Sequence, residues 1–260
     1  MRNPHGFPIW YELLAADPDA AARFYEDTLG WRVGAAMSPD MDYRLIDTAD
    51  GQVGGVIRLT PELAAGGARP GWFFYVGVDD VDATVAKVEA LGGAVHLPAR
   101  SIEGVGRFAL LADPQGIPFY VMRGATDAAS HAWQAQGMGK CGWNELTTSD
   151  QPAALAFYAE VFGWTYPDRM SMGELGDYVF IKAGGETIGA IMPRPAEAPG
   201  IAWNFYFRAS DIDAAAAQVF DGSGTVLEGP MDVPGDERVL VASDPGGAMF
   251  GIVAAAKVNA

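Results

Sequence analysis

The chain carries one pattern twice. Trp10-x-Glu12-Leu13, Asp17, Phe24-Tyr25 and Gly30-Trp31 reappear as Trp143-x-Glu145-Leu146, Asp150, Phe157-Tyr158 and Gly163-Trp164, each 133 positions later. A fixed offset held across so many residue types marks an internal duplication. Trp72, Asp80 and the turn Asp113-Pro114-Gln115-Gly116 recur as Trp203, Asp211 and Asp244-Pro245-Gly246-Gly247, now at an offset of 131. The sequence therefore predicts two copies of one domain, residues 1–123 and 141–260, joined by a glycine-containing linker at 124–140. Positions where the copies differ are the places to look for chemistry.

Within a copy, residues 8–14 read as a strand. Asp17-Pro18 then gives an N-cap followed by proline at the first helical position, and Leu29-Gly30 gives a glycine stop. Extended runs follow near 31–36, 43–48 and 52–59. A Pro/Gly-rich connection from Thr60 to Pro70 leads to a strand at 71–78, and Asp80 caps a helix running to Leu91-Gly92. Runs at 94–100, 105–112 and 117–122 complete the copy. Asp17 to Asp80 spans 63 positions and Gly30 to Gly92 spans 62, so each domain is itself a pair of βαβββ modules. The second copy repeats this with strands near 141–147, 177–183, 186–192 and 202–209 and helices near 151–162 and 211–221. Asp-Pro-x-Gly suits a type I turn and predicts the hairpin before each domain's last strand.

With 260 residues, half of them apolar, each domain has enough chain to bury its own core. The net charge of −16 disfavours phosphate backbones and anionic lipid, and no Lys/Arg-rich run offsets it, so neither nucleic acid nor a membrane is an expected partner. The first residues lack the apolar stretch of a signal peptide and no apolar segment approaches spanning length, which predicts a cytoplasmic protein. The single cysteine, Cys141, excludes an intramolecular disulfide and reads as a small buried hydrophobe. Nucleotide and Ser-hydrolase fingerprints are lacking. Trp72 and Trp203 read as matched core aromatics, and Arg107 and Arg238 as matched frame residues, each pairing with a carboxylate.

Paired βαβββ modules, Phe-Tyr before a Gly-Trp helix end, and Asp-Pro-x-Gly before the final strand together resemble the vicinal oxygen chelate superfamily of glyoxalases, bleomycin-resistance proteins and extradiol dioxygenases. The resemblance covers nearly the whole chain and implies an α+β fold of four modules, forming two domains with curved mixed sheets and concave cavities. It also implies metal ligands on the first and last strands of each module. Those positions hold Trp10, Phe73, Trp143 and Asn204 on first strands, and Arg58, Tyr120, Met192 and Gly251 on last strands. His5, His96 and His131 lie elsewhere. No cofactor is expected on these residues, with a divalent metal as the alternative if the strand register differs by a residue or two.

Residues two apart in a strand share a face, so Trp10 and Glu12 are expected to point together into one cavity and Trp143 and Glu145 into the other. Arg58 is expected to pair with Glu12, since a buried carboxylate needs a cation or donors. Phe73, Tyr75, Tyr120 and Met122 alternate toward the same side and predict an apolar, aromatic pocket. In the second copy Glu145 has no matched arginine, and Asn204 and Tyr206 offer donors, making Glu145 the candidate base and Asn204 or Tyr206 the candidate oxyanion partner. Two functions follow. One is a metal-independent protein that binds an aromatic or oxygenated metabolite or antibiotic. The other is a glyoxalase-like lyase or isomerase using Glu145 or a metal. A small molecule is the expected partner, and a monomer the expected state, with a dimer as the alternative.

Overall fold

The computed structural model describes residues 2–38, 41–196 and 200–257. The first half runs β1 (Phe7–Ala15), α1 (Pro18–Leu29), β2 (Arg32–Val33), β3 (Tyr43–Thr48), β4 (Gly51–Arg58), α2 (Pro61–Ala65), β5 (Gly71–Gly77), α3 (Val81–Ala90), β6 (Ala94–Ile102), β7 (Gly106–Ala112) and β8 (Pro118–Gly124). The second half runs β9 (Cys141–Thr148), α4 (Gln151–Phe162), β10 (Arg169–Ser171), a 3-10 turn at Gly173–Leu175, β11 (Asp177–Ala183), β12 (Glu186–Pro193), β13 (Ala202–Arg208), α5 (Ile212–Asp221), β14 (Thr225–Val233), β15 (Glu237–Ser243) and β16 (Met249–Ala255). Each half is a mixed eight-stranded sheet. The orders are β2-β3-β4-β1-β5-β8-β7-β6 and β10-β11-β12-β9-β13-β16-β15-β14. No helix among the described residues is long and apolar enough to cross a membrane.

The helix ends form where the sequence signals them. Asp17, Asp80, Asp150 and Asp211 each turn a carboxylate oxygen onto amides of the first helical turn, supplying acceptors that the helix itself lacks. Gly30 and Gly163 close α1 and α4 in the left-handed conformation, both at φ 69°, where a Cβ would be strained. The Pro/Gly-rich connection from Thr60 to Pro70 contains a short helix, Pro61–Ala65, that its composition does not signal. The Thr60 hydroxyl accepts from the Leu63 amide, and Pro61 fills the first turn.

Packing groups the chain differently from the order of its halves. One compact unit comprises Met1–Ile9, Phe73–Ser130 and Trp143–Trp203; the other comprises Trp10–Trp72, His131–Gly142 and Asn204–Ala260. Each unit thus takes one βαβββ module from each half. In the first unit, Tyr158 stacks on Trp164 with centroids 5.3 Å apart and meets Trp203 edge-on at 5.5 Å. In the second, Tyr25 stacks on Trp31 at 5.3 Å and meets Trp72 edge-on at 5.4 Å. Trp72 and Trp203 are core residues, each under a tenth exposed. Cys141 is fully buried.

The matched arginines also do the same thing twice. Arg107 grips Asp82 with Nε and Nη2 at 2.8 and 2.6 Å, and Arg238 holds Asp213 through Nη1 at 2.9 and 3.0 Å. Both fasten the last hairpin of a module to the first turn of its helix. These pairs are exposed at the acid, so they act mainly as frame contacts with modest energy.

Candidate functional site

The first unit carries a polar cluster on one face of its sheet. In β9, Trp143 and Glu145 lie two apart and share a face. The Trp143 indole donates to the Tyr178 hydroxyl at 2.8 Å, and that hydroxyl donates to Glu145 Oε2 at 2.5 Å. This is within the short range of an O–H to carboxylate bond. Phe180 meets the Trp143 ring edge-on at 6.0 Å and the Tyr178 ring at 5.7 Å. Strand register explains the grouping: Glu145 is opposite Ala190 in β12, and Ala190 is opposite Phe180 in β11, so one row crosses all three strands. Met192 is opposite Thr147 and therefore lies on the same face. The three residues Trp143, Glu145 and Tyr178 are half-buried, which leaves an accessible carboxylate set among aromatic rings.

The second unit repeats the motif. Trp10 donates its indole N–H to the Tyr43 hydroxyl at 2.9 Å, and Glu12, 5% exposed, occupies the same face of β1. Glu12 is opposite Gly55, and a Cβ placed at Gly55 would stand 2.2 Å from the Tyr43 hydroxyl oxygen. The bare glycine is what lets the phenol lie against the strand.

The two bridging tyrosines were not singled out from the sequence. The signal for them exists: Asp42-Tyr43 and Asp177-Tyr178 recur at an offset of 135.

The expected Glu12–Arg58 pair does not form. Arg58 instead holds Asp42, with Nη2 at 2.6 Å and Nε at 3.0 Å from Oδ2. The reason is register. Glu12 is opposite Gly55 whereas Arg58 is opposite Ala15, three positions on, so the arginine falls on the other side of the sheet. Ile57, not Arg58, matches Met192 in the second copy. Asp42 also receives Arg44 at 2.7 Å, and the hydrogen bonds from Arg44 and then Arg58 hold its carboxyl below the usual range against the cost of burial.

Phe73, Tyr75, Tyr120 and Met122 do share a face of the first unit. Tyr75 is opposite Tyr120 and Gly77 is opposite Met122 in the parallel ladder of β5 and β8. The two tyrosine rings stack at 4.2 Å with planes 4° apart, Phe73 approaches Tyr120 edge-on at 6.0 Å, and Arg100 sits 5.1 Å over the neighbouring Phe108 ring. The opposite face, with Phe74, Val76, Phe119 and Val121, is fully buried core.

Asn204 and Tyr206 belong to the second unit, while Glu145 belongs to the first. Tyr206 is opposite Gly251, and its ring lies across that glycine, where an added Cβ would be 2.3 Å from Cδ1. The Oδ1 atom of Asn204 is buried without a hydrogen-bond partner.

A second repeated polar array lies in the cores. Trp203 donates to the Tyr158 hydroxyl at 3.2 Å, and Tyr158 donates to Asp113 Oδ2 at 3.1 Å. Trp72, Tyr25 and Asp244 repeat it at 2.9 and 3.2 Å. Each aspartate opens its Asp-Pro turn, and Asp113 Oδ1 also accepts from the Gln115 and Ile117 amides at 2.9 Å. Burial pushes both carboxyls up, partly offset by these bonds, and burial also raises both phenols well above their ordinary value. These groups are sealed in the core and satisfy one another; they brace the frame.

The residues at the strand positions implied for a metal do not fit one. Indole, phenyl, thioether and glycine offer no carboxylate or imidazole donor, and one carboxylate per half is too few for a divalent ion. Among the described residues, no three His, Cys, Asp or Glu side chains come together as a metal-holding group.

The comparisons agree with this architecture. "Putative glyoxylase CFP32" of Mycobacterium tuberculosis is 35% identical over 261 residues, covering 95% of this chain and 94% of that protein. "Anthracycline biosynthesis protein DnrV" of Streptomyces peucetius is 31% identical over 270 residues, covering 95% and 93%. The chain shares its fold with the Mn(II)-bound glyoxalase from Novosphingobium aromaticivorans, with a TM-score of 0.66, 19% identity and coverage of 96% and 82%. It likewise shares it with homoprotocatechuate 2,3-dioxygenase from Brevibacterium fuscum, at a TM-score of 0.67, 15% identity and coverage of 98% and 82%. The family model matches twice, over residues 9–121 and 140–252, once for each copy of the duplicated pattern. Two tandem domains of paired βαβββ modules, matched over almost all of their length, place this chain in the Glyoxalase/Bleomycin resistance protein/Dioxygenase superfamily.

Proposed function

We propose that the protein binds a small oxygenated aromatic molecule without a metal, and that the Trp143–Tyr178–Glu145 face is where it does so. The observation that carries this reading is the chain of hydrogen bonds from the Trp143 indole through the Tyr178 hydroxyl to the Glu145 carboxylate. A carboxylate held in this way is a fixed acceptor for a ligand hydroxyl, and the indole and Phe180 rings beside it give a flat ligand something to pack on. The names of two relatives, anthracycline biosynthesis proteins, fit a flat, hydroxylated polycyclic ligand. The stacked Tyr75 and Tyr120 give the same unit a second aromatic face. A net charge of −16 supports a protein that works apart from nucleic acid and membranes. The duplication supports a monomer, since one chain already supplies both copies.

The test is equilibrium binding of a dihydroxyanthraquinone, read from its visible absorbance, to the wild type and to Glu145→Gln and Tyr178→Phe. Saturable binding in the wild type, weakened about tenfold or more by either change, is the expected result, since a hydrogen bond to a charged group is worth roughly 1.5–3 kcal/mol. Equal binding by all three proteins would refute it.

The short Tyr178–Glu145 contact favours a second reading, a glyoxalase-like isomerase. Glu145 would take a proton from the carbon beside a carbonyl, the Tyr178 hydroxyl would then turn its one hydrogen from the protonated Glu145 to the developing oxyanion, and the proton would return to the neighbouring carbon with no net oxidation. Turnover of a 2-oxoaldehyde thiol adduct that disappears in Glu145→Gln would move this reading ahead.

A further inference from the structure

The duplication also allows the two units to be compared away from these strand faces. In the first unit the imidazole of His5 fills a notch between the end of α4 and the start of α3. Its Nε2 lies 3.1 Å from the Val161 carbonyl oxygen, and its Nδ1 accepts the Asp79 backbone N–H at 3.2 Å. With Nδ1 accepting, the proton sits on Nε2, and a neutral ring bridges a helix-end carbonyl and a backbone amide. The Lys87 ammonium donates to the adjacent Glu160 carbonyl. Beside the ring, the Gly6 N–H bonds the Gly77 carbonyl at 2.8 Å, and the Gly6 carbonyl accepts the Trp164 indole at 2.7 Å.

The second unit repeats this frame without its filling. The Gly139 N–H bonds the Arg208 carbonyl at 2.9 Å, and the Gly139 carbonyl accepts the Trp31 indole at 2.6 Å. Offsets of 133 and 131 put Thr28 in the place of Val161, Ser210 in that of Asp79, Gln218 in that of Lys87, and Met138 in that of His5. Met138 is 53% exposed and lines this place without filling it. What remains is a cleft of about 310 Å³ walled by Thr28, Met138, Gly139, Ser210, Asp211 and Gln218. Among the described residues, no turn, loop or cap hydrogen bond of the backbone engages the Thr28 carbonyl or the Ser210 N–H, the groups that stand where Val161 and Asp79 hold His5. The Thr28 hydroxyl in the same wall is also buried and unpartnered, on a residue only 6% exposed. A native protein leaves few buried polar groups unmatched, and the Thr28 hydroxyl is one of them, whereas Ser210 is an exposed residue at the mouth of the same cleft.

We propose that this cleft is a binding site for a small molecule bearing a neutral imidazole ring, held as His5 is held in the other unit. The ring N–H donates to the Thr28 carbonyl and the ring nitrogen accepts from the Ser210 N–H. An amine on the same molecule adds a donor for the last carbonyls of α1, the role that Lys87 plays beside His5, and the carboxylates of Asp27 and Asp211 line the rim. The Thr28 hydroxyl supplies one further hydrogen bond.

The test is a titration of the full chain with imidazole and with histamine, followed by backbone amide NMR. The expected result is saturable shifts centred on Gly139, Ser210 and the end of α1, with histamine at least tenfold tighter than imidazole. Met138→His should fill the cleft from within and reduce histamine binding at least tenfold in a folded protein. His5→Ala should open the matching notch and add a second set of saturable shifts around Val161 and Asp79. Non-saturating shifts in the wild type, saturation centred elsewhere, or unchanged histamine affinity in Met138→His would each overturn the proposal.

Discussion

Replacing Tyr158 with phenylalanine removes one oxygen from the core of the first unit and disturbs two other groups. Its hydroxyl accepts from the Trp203 indole at 3.2 Å and donates to Asp113 Oδ2 at 3.1 Å, both within the buried core. The aromatic packing survives in Tyr158→Phe, so the loss is polar. A buried group left without its partner costs about 1–3 kcal/mol, and two such groups bring the expected destabilisation to roughly 3 kcal/mol. The effect must also depend on pH. Burial holds the folded pKa of Asp113 above its unfolded value, and the Tyr158 hydrogen bond works against that rise. Removing the bond raises the folded pKa further. A carboxyl with a raised folded pKa favours the fold most below its unfolded pKa and loses that contribution as pH rises through the folded one. The cost of Tyr158→Phe should therefore be full near neutrality and shrink toward about pH 4 as Asp113 takes up its proton. Urea unfolding of wild type and variant at both pH values, with unchanged slopes, reads this directly. Tyr25→Phe tests the repeat, because Tyr25 stands between Trp72 and Asp244 in the same way. Destabilisation under about 0.5 kcal/mol, or a cost that does not vary with pH, would refute the reasoning.

Other perturbations have equally definite outcomes. Gly189→Ala would put a Cβ 1.9 Å from the Asn144 carbonyl oxygen across the β9/β12 ladder, so the strands must part; a loss of roughly 3 kcal/mol or more in urea unfolding is expected. Arg208 is 5% exposed at its side chain and holds Glu237 at 2.8 and 3.0 Å, so Arg208→Ala leaves that carboxylate with the Gln136 amide but without its cation and should cost roughly 3 kcal/mol, whereas Arg208→Met together with Glu237→Leu should recover most of it. Asp42 has the opposite sign from Asp113: its pKa is depressed, so its contribution is present above the unfolded value and lost as pH falls through the folded one. Stability of Asp42→Asn should accordingly fall less steeply in acid than that of the wild type, as measured by thermal melts across pH.

Much of this fold is legible along the chain because its signals are local. The four aspartate caps, the glycine stops and the two Asp-Pro turns each depend on a few consecutive residues, and each forms where it is read. The face shared by Trp143 and Glu145 is legible for the same reason. The facing of Arg58 is not legible because β4 is buried at Val53, Gly54, Gly55 and Val56 in succession, and a strand covered on both sides has no alternation to fix its facing. The place of Tyr178 beside Glu145 is not legible locally, because it lies 33 residues further on and is brought back by the β11/β12 and β12/β9 ladders. Pairing of modules from different halves into compact units likewise rests on long-range contacts, Tyr25 with Phe250 and Asp244 and Tyr158 with Phe119 and Asp113, which no local pattern encodes.

The most direct test is native mass spectrometry of the full chain mixed with a dihydroxyanthraquinone, before and after exhaustive chelation. The account predicts a complex whose mass is that of the chain plus the organic ligand alone, unchanged by chelation and lost in Glu145→Gln. A complex that forms only with the added mass of a divalent ion would contradict it.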